Sequence, residues 1–334
     1  MWVLVLPIVV CVLFALSVFE LLRRRWRRAL LWLAAGAALN VWTESIALHP
    51  FTSGRVAAEP RDTACLRVLT YNVFGNSPYL TASRHRPEGA AEMVAFIDSM
   101  HADIVALPEY NKTFSRPLGD TLEARFPYNT LALMPTRDYG EINLYSRYPI
   151  RNLRRFHLPI DTVQLGHMTE PLRTKVWWMD IDVHGRTVKV VFCHLLSNMY
   201  SNARRRTVQD SLSWWAGRRD YYEGLTIGYD LRAQQARAIR DSLATWHGPV
   251  IVLGDLNDIG GSAAIRAVEA AGLRDAWWSA GLGFGFTYDA YHLLLRLDHI
   301  LVSPHFGVRG VKVLDEVAFS DHLPLVADLE WAGQ

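Results

Sequence analysis

Several short apolar runs in this chain stop abruptly at a residue able to bind a cation or move a proton. Leu69-Thr70-Tyr71 ends in Asn72, Ile104-Val105-Ala106-Leu107-Pro108 in Glu109, and Val190-Val191-Phe192-Cys193 in His194. Val250-Ile251-Val252-Leu253-Gly254 runs into Asp255 and Asn257, Asp298 opens another run, and Asp321-His322 precedes one more. Burying a charge without a partner costs several kcal/mol, so a carboxylate beside an apolar run calls for a reason. Singly, each has an ordinary account: Asn72 as a turn cap, Asp255 as an Asx-turn after Gly254, His194 as a satisfied core histidine. Together they are better explained by one shared site where strand ends meet.

The runs alternate with helical patterns, which points to a layered α/β architecture. Strands are expected at Leu66–Asn72, Ile104–Leu107, Ile142–Tyr145, Thr174–Val183, Val188–Cys193, Val250–Leu253, Leu297–Val302 and Leu325–Trp331. Helices are expected at Pro87–Met100 and Arg232–Trp246. Half of the 334 residues are apolar and 20% are charged, which excludes a disordered or coiled-coil chain. A net charge of +2 is far from the balance of a dedicated nucleic-acid coat. Cys11, Cys65 and Cys193 have no spacing that suggests a disulfide framework or a zinc site.

The N-terminus reads as a separate unit. Met1–Leu22 is apolar except for Glu20, the arginines Arg23, Arg24, Arg25, Arg27 and Arg28 follow, and a second apolar stretch covers residues 29–48. About 20 apolar residues span a bilayer, so the pattern predicts a transmembrane hairpin over residues 1–50. The basic turn would stay cytoplasmic, placing the rest of the chain on the periplasmic or outer side of a bacterial inner membrane. A surface-lying second helix is the alternative, because Asn40, Thr43 and Glu44 interrupt that stretch. Residues 51–64 read as a linker and residues 65–331 as the globular domain.

The ordered set Leu69–Val73, Asp103–Glu109, Gly254–Asn257, Leu297–Ile300 and Ser320–Pro324 resembles the endonuclease/exonuclease/phosphatase superfamily, which includes deoxyribonucleases, abasic-site endonucleases, neutral sphingomyelinases and inositol-phosphate 5-phosphatases. The resemblance implies a four-layer α/β sandwich of two packed, mainly antiparallel sheets flanked by helices. It also implies hydrolysis of a phosphate ester with a divalent metal, Mg²⁺ or alternatively Mn²⁺. Glu109 would be the principal metal ligand, helped by Asn72 and Asp321. Asp255 would orient or deprotonate the attacking water, and Asn257 would hold it or a phosphoryl oxygen. His322 would meet the phosphate as imidazolium or general acid, oriented by Asp298, and His194 would supply a second phosphate contact. Glu141 is a conceivable carboxylate partner for His194. His299 reads as a strand residue with no catalytic part.

Residues 197–229 look like an insert carrying Arg204, Arg205, Arg206, Arg218 and Arg219 among Trp214, Trp215, Tyr221 and Tyr222. Such a mixture suits single-stranded nucleic acid, an anionic membrane surface, or a plain solvated helix. The expected activity is therefore a membrane-anchored phosphodiesterase acting on nucleic acid or phospholipid, with no obligate protein partner. A phosphomonoesterase and a catalytically silent phosphate-binding module are the alternatives.

Overall fold

The computed structural model describes residues 5–52, 56, 65–73, 89–110, 116–133, 142–156, 162–165, 168–171, 175–197, 214–290, 293–315 and 319–333. Glu141, Arg204, Arg205, Arg206 and most of the expected linker lie outside the described residues. Numbered along the chain, the first strands are β1 (Ala47–Leu48), β2 (Cys65–Thr70), β3 (Ile104–Pro108), β4 (Tyr128–Asn129), β5 (Ile142–Ser146) and β6 (Ile150–Arg155). Next come β7 (Thr162–Leu165), β8 (Met168–Pro171), β9 (Lys175–Val183), β10 (Arg186–His194), β11 (Val250–Asp255) and β12 (Arg274–Asp275). The last are β13 (Leu282–Gly283), β14 (Tyr288–Ala290), β15 (Leu293–Leu295), β16 (Asp298–Val302), β17 (Phe306–Val313) and β18 (Leu325–Trp331).

Two six-stranded sheets form the centre, in the orders β17-β18-β2-β3-β5-β4 and β12-β16-β11-β10-β9-β6. Each is antiparallel apart from one parallel pair, β2 with β3 and β10 with β11. The inner faces meet in one apolar layer: Leu66, Val68, Ile104 and Ala106 from the first sheet pack with Met179, Phe192, Ile251 and Ile300 from the second. The outer face of the second sheet is covered by the Trp214–Leu243 and Ala263–Glu269 helices through Ala236, Ile239, Ile265 and Val268. Met93, Ile97 and Leu122, from the Gly89–Ser99 and Arg116–Arg125 helices, cover the outer face of the first. Both sheets are therefore buried on two faces, which is why their strands read as continuous apolar runs rather than alternating ones. The β9–β10 turn places His184 and Gly185 at positive φ (53° and 81°), the requirement of a type I′ hairpin.

The N-terminal hairpin consists of α1 (Leu6–Leu22) and α2 (Trp26–Thr43). The helices close at Gly36, where a Cβ would lie 2.9 Å from the Phe14 ring, and Ser17 Oγ donates to Ala29 O at 2.8 Å. The spans expected at residues 1–22 and 29–48 find no support. Among the described residues no helix is long and apolar enough to cross a membrane. α2 carries Arg27, Arg28 and Asn40. The second stretch also ends early: Glu44 takes a left-handed conformation (φ 48°), and Ala47–Leu48 pairs as a strand with Gly283 and Leu282. The hairpin is thus stitched to the sandwich. The helix expected from Arg232 begins at Trp214, so part of the supposed insert is the front of a 30-residue helix.

Candidate active site

Register assembles the site. Across the second sheet Lys175 pairs with His194, His194 with Asp255, and Asp255 with Asp298, so one row of four adjacent strands ends in chemistry-bearing side chains. In the first sheet, Tyr71 N donates to Ala106 O and Val73 N to Pro108 O, holding the segment with Asn72 against the one leading to Glu109. The two edges meet where Asn72 Nδ2 donates to Asp255 Oδ2 at 2.9 Å and to Glu109 Oε1 at 3.3 Å. His194 Nε2 lies 3.6 Å from Glu109 Oε1 and 3.8 Å from Asp255 Oδ2. His322 Nδ1 donates to Asp298 Oδ2 at 2.7 Å, and its Nε2 stands 3.8 Å from Asp255 Oδ2. Asn72, Glu109, His194, Asp255, Asp298 and His322 therefore share one cleft. Asp321 sits beside them, near enough for its charge to act on Glu109 and His322.

Two backbone strains set the geometry. Glu109 and Asn257 both take positive φ, at 59° and 52°, a conformation that costs of order 1 kcal/mol or more and persists only where neighbours enforce it. For Asn257 the enforcement is visible: its N–H donates to Asp255 Oδ1 at 2.8 Å and its Nδ2 to Leu195 O at 3.0 Å. Gly254, inside β11, allows the close approach of β10 to Asp255, because with φ at +131° a Cβ there would stand 1.9 Å from Cys193 O.

Burial and crowding tune the charges. Burial drives Asp255 up to about 7, helped by Asp298 and opposed by His322 and the Asn72 amide. Burial raises Glu109 and Asp321 as well. It lowers His194 well below the ordinary histidine value, assisted by the charges of Lys175 and His322, so that ring is neutral. For His322 burial also pulls down, but the carboxylates of Asp298, Asp255 and Asp321 outweigh it and hold the imidazolium up to about 10. Four carboxyl groups thus share a cleft with the cations His322 and Lys175.

That donor set fits a hard divalent cation: carboxylate oxygens with an amide side chain among them, the carboxyls of Glu109 and Asp255 both kept high by desolvation. Asp298 Oδ1 is buried and finds no partner among the described residues. Asp255, Asp298 and His322 have ligand atoms within 4.8 Å of one another. His322, protonated and tied to Asp298, is the poorer ligand of that trio, whereas the Glu109 side chain keeps 30% of its surface open.

Four further groups support the cleft. Lys175 reaches the site only through its register opposite His194, which spacing along the chain does not reveal. Thr287 Oγ1 accepts from the N–H groups of Leu297 and Asp298 at 3.0 Å each, fixing the start of β16, and the Tyr288 ring meets His322 edge-on at 4.9 Å. Arg232, wholly buried on the Trp214–Leu243 helix, donates to Asp258 Oδ2 at 3.2 Å and Leu196 O at 3.1 Å, tying the segments that follow Asn257 and His194 to each other. His299 faces away from the cleft, with Nδ1 2.7 Å from Asp275 Oδ2 and Nε2 2.9 Å from Asp258 O.

Solved structures share this fold at low identity. Humanized D. rerio TDP2 is 15% identical, with 80% of this chain and 99% of that chain covered and a TM-score of 0.53. Sphingomyelinase C from Streptomyces griseocarneus is 19% identical over 79% and 99%, with a TM-score of 0.54. The endonuclease/exonuclease/phosphatase from Beutenbergia cavernae is 20% identical over 81% and 72%, with a TM-score of 0.55. A comparison with curated proteins finds no match. The model of the Endonuclease/Exonuclease/phosphatase family matches residues 69–322, the stretch that contains every residue of the cleft. The chain belongs to that family and is a metal-dependent phosphoric ester hydrolase.

Proposed function

We propose that this enzyme is a phosphodiesterase working by in-line attack of water, and that its helical hairpin holds it at a membrane. The observation that carries the first part is the meeting of the two sheet edges, Asp255 and Asp298 from one and Asn72 and Glu109 from the other, around a cationic His322. Asp255, poised near neutrality, orients the water and takes its proton. Asn257 grips that water through Oδ1, since its Nδ2 is committed to Leu195 O. His322 keeps its proton at neutral pH and meets the phosphate charge as imidazolium, with Asp298 fixing its orientation. His194 contacts the phosphate as a neutral ring. Glu109, Asn72 and Asp321 would hold a divalent cation, Mg²⁺ or Mn²⁺, which would supply charge neutralisation at the phosphate and at the leaving oxygen.

Membrane attachment is supported by the apolar surface of the hairpin. Val9, Val12, Val18, Phe19, Leu21 and Leu22 on α1, and Leu30, Leu31, Trp32, Leu33, Val41 and Trp42 on α2, are all exposed. A patch of this extent marks an interaction site. Residues Arg23–Arg28 at its turn suit anionic headgroups. The helices enter the lipid without crossing it. Solved relatives include a sphingomyelinase and a TDP2 complexed with single-strand DNA product, so lipid headgroup and nucleic acid are the two phosphodiesters to compare.

The test is hydrolysis of bis-p-nitrophenyl phosphate by the full chain with Mg²⁺, Mn²⁺ or chelator, alongside Asp255→Asn. Metal-dependent turnover lost in the variant supports the proposal. Turnover of p-nitrophenyl phosphate alone would make the enzyme a monoesterase instead. Sphingomyelin vesicles and single-stranded DNA as substrates then separate the two phosphodiester classes.

A further inference from the structure

The hairpin does more than lie beside the sandwich: its trailing end is built into the loop that carries Asn257. Gly260 and Gly261 lie in this loop, three and four residues after Asn257; a side chain on Gly261 would meet the hairpin, and one on Gly260 would meet the Arg296 guanidinium first and the hairpin next. A Cβ on Gly261 would stand 2.6 Å from Thr43 O, and one on Gly260 3.1 Å from Glu44 O. Gly261 also has φ at +74°, a region that favours glycine. The guanidinium of Arg266 joins the two bodies directly. Its Nε donates to Gly261 O at 3.0 Å, its Nη2 donates to Trp42 O, and it lies 5.6 Å from the centroid of the Trp42 ring. The β1–β13 pairing and His49 Nε2 against Trp278 O at 2.9 Å fix the same segment from the far side. On its inner side the loop is gripped by Arg232 through Asp258 and by His299 through Asp258 O.

We propose that residues Trp42–Glu44 and Arg266 are positioning elements of the active site: they brace the 257–261 loop from outside, so that Asn257 is held in its left-handed conformation with its amide at the reacting edge. Clamped between Arg232 and the hairpin, the loop has no slack to relieve the positive φ of Asn257. With the outer clamp removed, Asn257 relaxes and the water it holds loses its position, while substrate binding by His322 and His194 continues. The activity readout rests on the phosphodiesterase reading given above; the exchange readout below does not.

The test uses the full chain with Arg266→Ala and, separately, Trp42→Ala; both side chains are exposed, so neither change opens the core. Deuterium exchange of the 257–261 amides and steady-state turnover of bis-p-nitrophenyl phosphate with Mg²⁺ are measured on each. The expected result is at least fivefold faster exchange in that loop and about a fivefold to tenfold lower kcat at unchanged KM. Unchanged loop exchange in both variants would overturn the proposal, as would faster exchange with unchanged kcat. A loss of kcat together with a raised KM and a general rise in exchange would show ordinary destabilisation and would also overturn it. If the wild-type chain turns over nothing with any metal, the phosphodiesterase reading fails, and the exchange comparison still decides whether the hairpin braces the loop.

Discussion

At the scale of single residues, the cleft shows how burial turns ordinary side chains into acid and base. Asp255 and Glu109 are expensive to ionise where they stand, so the metal-free protein should gain stability from bound Mg²⁺ and lose that gain when a ligand is removed. By mass action the stabilisation is about 2.7 kcal/mol at a hundred times Kd. Glu109→Gln should fold and show no Mg²⁺-induced rise in Tm, measured by scanning calorimetry with and without chelator. Asp255→Asn should keep KM and lose on the order of a hundredfold or more in kcat, the range expected for a positioned general base. The pH dependence of folding follows from two raised groups. His322 lies above the usual histidine value, so its stabilising contribution is complete below about 6.5 and is lost as pH climbs through about 10. Asp255, raised from 3.8 to about 7, favours the folded state while protonated and withdraws that support as pH rises from about 4 through 7. Above about pH 6.5, where the lowered His194 no longer adds stability with rising pH, urea unfolding of the metal-free protein should therefore show stability falling toward pH 10. Asp298→Asn should flatten the upper half of that fall, because the carboxylate that raises His322 is gone. A metal-free protein whose stability rises across this range would contradict both assignments.

At the scale of elements, the site depends on strands ending level. Gly254 is the hinge of that arrangement, and Gly254→Ala should cost at least ~3 kcal/mol, since it combines a forbidden φ with a collision at Cys193 O. Guanidinium unfolding would read the loss, and a cost under 1 kcal/mol would show that the end of β11 can reshape. The same levelling explains what was legible in the sequence. The long apolar runs of β3, β10, β11 and β18 are largely buried, so composition marks them, and the polar residue that closes β3, β10 and β11 or precedes β18 marks the sheet edge. β6 and β17 were not anticipated. β6 is an edge strand carrying Arg151, Asn152, Arg154 and Arg155, with a register shift between Arg151 and Arg154, and β17 has its own shift between Val308 and Gly310, so neither keeps a simple period. Lys175 and Arg232 were missed for a different reason. Each acts through pairing with a distant segment, and register between strands is written in no local pattern. The hairpin was legible as two apolar helices joined by arginines. Its docking was not, because Ala47–Leu48 becomes a strand only by finding Leu282–Gly283 more than 230 residues away.

At the scale of the whole molecule, two requirements meet at the hairpin: one end is stitched to the sandwich at β13 and Arg266, and the helices beyond it expose an apolar surface that water does not favour. An apolar surface fixed rigidly to a catalytic domain confines that domain at a set distance from whatever the surface enters. The proposed membrane attachment would use the arginines at the turn joining the helices, with Arg23 lying 5.4 Å from the Phe19 ring centroid and Arg27 5.2 Å from that of Trp26. A guanidinium on an aromatic ring at the end of an apolar helix suits the headgroup layer, where the ring is half in lipid and the charge meets phosphate. The prediction is binding of the full chain to phosphatidylserine-containing vesicles in flotation assays, weakening as salt is raised. Each arginine near such a surface contributes about 1 kcal/mol, so Arg23→Gln, Arg24→Gln and Arg25→Gln combined should weaken binding on the order of a hundredfold at low salt. Leu21→Glu and Leu31→Glu, which change only exposed positions, should release the protein from neutral vesicles as well. If the glutamate variants float as well as the wild type, the apolar surface is covered by something other than lipid, and a concentration-dependent dimer measured by analytical ultracentrifugation would identify a second copy as the cover.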